Sequence, residues 1–137
     1  MLHNYFTFAI WILNFFDTKH HYIMENESNK FQFESEIKWE DAGVGVQRQI
    51  MAYNDNIMLV KVKFEEGAVG APHSHPHTQA TYVESGVFEF TTDGETKIVK
   101  AGDGVYMKPG VLHGCKCLEA GLLIDTFSPM RKDFLTK

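Results

Sequence analysis

The sequence predicts an all-β, single-domain protein, and three observations carry that expectation. Short β-rich runs recur at spacings of about 8–12 residues between turn residues, the pattern of a β-sandwich or small barrel. No apolar pattern of helical period and useful length follows residue 24. The 137 residues correspond to one domain at roughly 150 residues each, and a chain of this length buries about two-thirds of its unfolded surface without staples.

Residues 5–16 form the one long apolar run. It is shorter than the roughly 20 residues that cross a bilayer, and it lacks the basic start and small-residue cleavage site of a secretory signal. A second methionine, Met24, precedes a polar stretch. The chain after it reads as a complete domain, so residues 1–23 are expected to be either a start-site overextension or a short docked helix. The expected division is an N-terminal extension over 1–30 and a barrel domain over 31–137. Residues 31–37 alternate loosely, and 41–45 form a breaker cluster. Runs 44–53 and 57–64 flank Asn54, Asp55 and Asn56, a hairpin signal. In the second run Val60, Val62 and Phe64 alternate with Lys61, Lys63 and Glu65, as in a half-buried strand. Residues 67–72 read as loop, 79–84 as a strand turned by Gly86, and 87–92 as a strand leading to Asp93–Gly94. That dipeptide is the strongest short hairpin signal, and 95–100 returns from it. A turn at 101–104, a short strand at 105–107 and a turn at 108–110 follow. Residues 122–127 form a last strand stopped by Pro129, and 130–137 a short terminal helix. Phe88 and Phe90 are expected in the core; Tyr106 and Met107 in the core or lining a pocket.

Hydrophobic residues at 44% and charged residues at 23% give a globular balance. A net charge of −5 and the lack of a basic run argue against binding to nucleic acid or an anionic membrane surface. The two cysteines, Cys115 and Cys117, stand two apart and share a strand face, where a disulfide would be a strained small ring. They read as reduced structural thiols of a cytoplasmic protein; a zinc site would need a second pair.

The chemistry lies in the histidines. His73, His75 and His77 fall within five residues, and His113 lies far from them in the chain. Imidazole is the commonest transition-metal ligand at neutral pH. Two histidines two positions apart on an extended segment face the same side, and Gln79 adds a neutral oxygen at the same parity. Late in the chain Asp125 interrupts the apolar run 122–127. A charge there signals a function or a buried ion pair. By period 2 it shares a face with Phe127, and that face is the interior if Leu123 also points inward.

These residues carry a resemblance. Gly67, His73, His75, Gln79 and Gly86, with their spacings, resemble the first motif of the cupin superfamily. Gly102, Asp103, Pro109, Gly110 and His113 resemble the second, and fifteen residues separate Gly86 from Gly102, as in small single-domain cupins. The resemblance implies a jelly-roll barrel holding a metal on His73, His75, Gln79 and His113. General cupins carry Glu at the position of Gln79 and Pro at that of Lys108. His77 competes for a ligand place, although the family pattern skips it. Trp39, Glu40, Asp41, Val46, Arg48, Ala52, Tyr53, the run 67–79, Phe88, Glu89, Phe90 and the closing run 125–135 narrow the match to pectin-degradation cupins of the KdgF type, in which Gln is the expected ligand. The match covers roughly residues 38–135. It implies an isomerase-like enzyme that turns 4,5-unsaturated uronates, released by pectin or alginate lyases, into linear ketonised sugars.

The residues fit that chemistry. Asp125 would serve as general acid and base, Phe127 as an apolar wall, and Arg131 as the partner of the uronate carboxylate. Against these stand a simple salt bridge of Asp125 to Arg131 or Lys132, and a solvated Arg131. Arg48 either points inward or sits on the surface. The metal is expected to be divalent zinc, nickel, manganese or iron, and the assembly a homodimer paired through an edge strand. Two other functions remain beside the enzyme reading: a metal-dependent dioxygenase, against which the neutral Gln79 argues, and a sugar-binding module without turnover.

Overall fold

A computed structural model describes residues 26–136. The expectations for residues 1–23 therefore lie outside the described residues. Eight strands follow in order: β1 (Glu40–Gly43), β2 (Val46–Asn54), β3 (Ile57–Phe64), β4 (Val69–His73), β5 (Thr78–Thr92), β6 (Glu95–Lys100), β7 (Gly104–Met107) and β8 (His113–Ser128). All pairings are antiparallel, in the order β1-β2-β3-β8-β5-β6, with β4 added beside β8 and β7 beside β5.

Two long strands organise the barrel. β5 and β8 pair along their whole length, from Thr78 opposite Ser128 to Thr92 opposite His113. The late half of β8 pairs β3 and its early half pairs β4. The early part of β5 pairs β7 and its late part β6. Each long strand thus runs through both layers of the jelly roll, and the sheet folds back on itself at their middle. The expected break at Gly86 is that fold. Register shifts cluster between Val83 and Phe88, so β5 bulges and bends there without ending. Gly86 has φ 85°, and a Cβ on it would lie 2.6 Å from the Glu119 carbonyl oxygen, so only glycine fits. The Asp93–Gly94 hairpin forms as expected, with φ 51° and 77°, the signs of a type I′ turn.

Four other expectations need correction. Residues 69–73 form β4, because their partner is the distant start of β8. β8 begins at His113, nine residues before the expected start at 122. The breaker cluster hosts edge strand β1, with a bulge between Asp41 and Gly43. The C-terminal end makes a 3-10 turn over Lys132–Phe134 in place of a longer helix.

The core follows the strand parity. Val46, Phe64, Val83, Phe88, Phe90, Met107, Cys117 and Leu123 form one buried cluster, in which Phe64 and Phe88 meet edge to face at 5.4 Å. Such a pair adds about 0.5–1.5 kcal/mol beyond burial. Met58, Val60, Phe127 and Met130 form a second cluster at the other end. Both cysteines are free; burial pushes the Cys115 thiol up to about 12, so it is neither a nucleophile nor a ready metal ligand. No helix among the described residues is long and apolar enough to cross a membrane.

Candidate metal centre and acid–base pocket

Four strand ends bring the site together. His73 closes β4 opposite His113, which opens β8. His75 lies in the link to β5, and Gln79 follows at the start of β5, opposite Phe127. The ligand atoms of His73, His75 and His113 all lie within 4.8 Å of one another. A carbonyl oxygen accepts only, so the ring nitrogens that meet carbonyls must carry the protons. His73 Nδ1 donates to the Ala71 carbonyl at 2.8 Å and His113 Nδ1 to the Val111 carbonyl at 3.0 Å. Each then has a bare Nε2 lone pair, and that of His113 is buried without a partner. Burial, first among the causes, holds His75 and His113 below the ordinary histidine range, so both rings stay neutral. Convergent neutral imidazoles with an orphaned buried acceptor fit a divalent cation. Gln79 Oε1 accepts from His75 Nε2 at 2.9 Å; with the ring proton on Nδ1 instead, the same spacing suits neighbouring ligand atoms on one ion with bonds of about 2.1 Å. His77 stands outside the three-histidine group, its ring centre 5.3 Å from that of His75.

Beside this group opens a cavity of about 240 Å3, lined by His73, Gln79, His113, Asp125, Phe127 and Arg131 among others. Leu123, Asp125 and Phe127 are all buried and inward, so the apolar strand does deliver its one carboxylate to the interior. Burial pushes Asp125 up to about 6, against hydrogen bonds from Thr81 and Gln79 and the charge of the Arg131 guanidinium, which pull it down. Thr81, buried opposite Asp125, donates to its Oδ1 at 2.6 Å and accepts from Gln79 Nε2 at 3.1 Å. Asp125 makes no ion pair with Arg131 or Lys132 among the described residues. Arg131 instead pairs twice with Asp133, Nε to Oδ1 at 3.0 Å and Nη2 to Oδ2 at 2.7 Å. Its side chain is only 13% exposed, so it is no solvated terminal charge. Arg48 also lines the cavity; its guanidinium stacks 3.9 Å over the Phe134 ring and meets Glu40 at 3.4 Å.

The model of the cupin domain family matches residues 60–124. The pectin degradation protein KdgF of Dickeya dadantii is 44% identical over 108 residues, spanning 77% of this chain and 98% of its own length. This chain belongs to the cupin family, among its KdgF-like members. Two solved cupins superpose on it. An RmlC-like cupin from Shewanella frigidimarina is 44% identical, with a TM-score of 0.77, over 79% of this chain and 97% of its own. KdgF from a Halomonas species is 40% identical, with a TM-score of 0.74, over 78% of this chain and 99% of its own.

Within the cupin barrel the structure thus gathers His73, Gln79, His113, Asp125, Phe127 and Arg131 around one cavity, with His75 in the histidine group beside it. Phe88 and Phe90 are core, as expected, and Phe90 also lines the cavity. Met107 is buried, whereas Tyr106 faces solvent and does not line this cavity. Thr81 is the residue the sequence reading passed over. Its only signal was parity, two residues after Gln79 on the same strand face; its partner Asp125 stands 44 positions away.

Proposed function

We propose that this cupin isomerises 4,5-unsaturated uronates to linear keto sugars. The observation that carries the reading is a buried carboxylate, Asp125, facing the same small cavity as a cluster of neutral imidazoles. Kinship with proteins named for pectin degradation supports the substrate class. In this reaction the anomeric hydroxyl loses its proton, the ring carbon–oxygen bond breaks, and the aldehyde carbonyl forms. The electron pair passes to the enol oxygen. That oxygen becomes a ketone as the former double-bond carbon takes a proton. One proton moves from oxygen to carbon, and nothing is oxidised or reduced.

Asp125 takes the first proton and returns it to carbon. An acidity near neutrality suits a group that must do both. Phe127 packs the sugar face, its ring edge-on to His75 at 5.7 Å between centres. Arg131 spends Nε and one Nη2 proton on Asp133 and keeps further donors for the uronate carboxylate. A divalent ion on His73, His75, Gln79 and His113 supplies Lewis-acid stabilisation of charge on substrate oxygen.

The test is an ultraviolet assay, because the reaction removes the carbon–carbon double bond next to the carboxylate. Purified protein with its metal quantified should bleach that absorbance, and His113→Ala should lose both metal and turnover. Wild-type metal-loaded protein without turnover, or a His113→Ala variant with normal metal content and rate, would overturn the reading.

A further inference from the structure

The contacts of Thr81 set a direction that the individual distances do not state. Thr81 lies between Gln79, two residues earlier on β5, and Asp125, its cross-strand partner on β8. Its hydroxyl has a single proton to give. A 2.6 Å contact to a carboxylate oxygen claims that proton. The second contact, 3.1 Å from Gln79, must then be supplied by the amide NH2 of Gln79. This turns the other end of the amide, Oε1, away from Thr81 and towards His75 Nε2 at 2.9 Å.

We propose that Thr81 is a positioning residue whose one hydroxyl proton orients the Gln79 amide, oxygen towards the three histidines, and ties Asp125 to the same chain. The inference rests on the metal and acid–base reading above. Without the hydroxyl, the amide of Gln79 loses one of its two acceptors, Asp125 being the other, and is less firmly kept from turning its NH2 towards the histidines, where it has no lone pair to offer a cation. The chain also accounts for Gln rather than Glu at this position. A carboxylate at 79 has no N–H to give, and Thr81 would face two carboxylates with one proton. Thr81 and Asp125 together therefore select a neutral ligand.

The test compares Thr81→Val, which keeps the shape and removes the hydroxyl, with Thr81→Ser, which keeps the hydroxyl. Zinc affinity is measured by chelator competition with zinc ion alone, and kcat and KM with the unsaturated uronate. Loss of a group that orients a ligand typically costs about 10–100-fold in metal affinity or activity. Thr81→Val should weaken zinc binding by that factor and lower kcat with little change in KM; Thr81→Ser should return both to near wild-type values. Zinc binding by Thr81→Val equal to wild type, or a Ser variant as impaired as the Val variant, would overturn the proposal. If the Val variant fails to melt cooperatively, Thr81→Ala takes its place in the comparison. The zinc measurement needs no substrate. A wild type that leaves the uronate unchanged therefore sinks the functional reading alone, and the zinc comparison still decides the role of Thr81.

Discussion

Asp125 is buried among Leu123, Phe127 and the strands of two layers, where an ionised carboxylate is costly. Hydrogen bonds from Thr81 and Gln79 do not repay that cost in full, and its pKa rises from the ordinary 3.8 to about 6. Asp125→Asn retains an acceptor for Thr81 and removes the basicity. Its rate should fall about 10²–10⁴-fold, while metal content stays unchanged; a nearly wild-type rate would end the acid–base assignment. The same shift has a stability consequence. The folded state binds this proton more tightly than the unfolded chain, so its contribution is present below about pH 4 and lost as pH rises through about 6. In metal-free protein the melting temperature of wild type relative to Asp125→Asn should therefore decline between those limits. Gln79→Glu tests the neighbouring residue. It should hold a divalent metal at least as well, because it adds a negative charge beside the cation, and should turn over more slowly. The added charge makes the metal less polarising, and it faces Asp125 across the one Thr81 proton. Undiminished activity would make the neutral ligand incidental.

At the scale of elements, the site depends on two long strands arriving in register. Gln79 opposes Phe127 and Thr81 opposes Asp125, so a slip of one residue between β5 and β8 would move the carboxylate out of the cavity. The bulges between Val83 and Phe88 let β5 bend into the second layer while keeping that register in its first half. Gly86→Ala forces a Cβ against the Glu119 carbonyl in a positive-φ conformation. A loss of more than about 2 kcal/mol is expected, read as a lower denaturation midpoint with an unchanged slope. A variant as stable as wild type would mean the bend tolerates a side chain. The early half of β8 places His113 opposite both His73 of β4 and Thr92 of β5, so one element holds a candidate ligand at its start and the carboxylate near its end.

For the whole molecule, the histidine cluster gathers the end of β4, the link into β5 and the start of β8. Burial keeps His75 and His113 neutral below their ordinary range, so protons compete for the lone pairs only at pH values under about 6.5. Metal content followed against pH should fall to half below that value; half-loss at neutral pH would contradict the neutral-ligand picture. Chelation should lower the melting temperature. An ion at 100 times its dissociation constant stabilises by about 2.7 kcal/mol, a shift on the order of 10 °C for a domain of this size. An unchanged melting temperature after verified metal removal would mean the centre contributes nothing to the fold.

Strand parity and motif spacing were legible in the sequence. Val60, Val62 and Phe64 alternate into the interior as period 2 requires, Asp93–Gly94 turns the hairpin its residues demand, and the spacing of His73, His75, Gln79 and His113 carries the cupin resemblance, whose three histidines the fold brings within 4.8 Å of one another. These are local properties, written in neighbours a few residues apart. The sequence by itself also marked Asp125 as a charge out of place. What it left open was settled by pairings over long separations. β4 reads as loop until the start of β8 lies beside it, and Gly86 reads as a strand end until Glu119 packs against it. Arg131 reads either as a carboxylate partner or as a solvated charge until the barrel buries it at a cavity shared with Gln79 and His113. Thr81 is one more small polar residue on a strand until the fold sets it between the Gln79 amide and the Asp125 carboxylate. A hydrogen bond depends on a few tenths of an ångström between atoms whose residues are far apart in the chain, and only the closed barrel brings those atoms together.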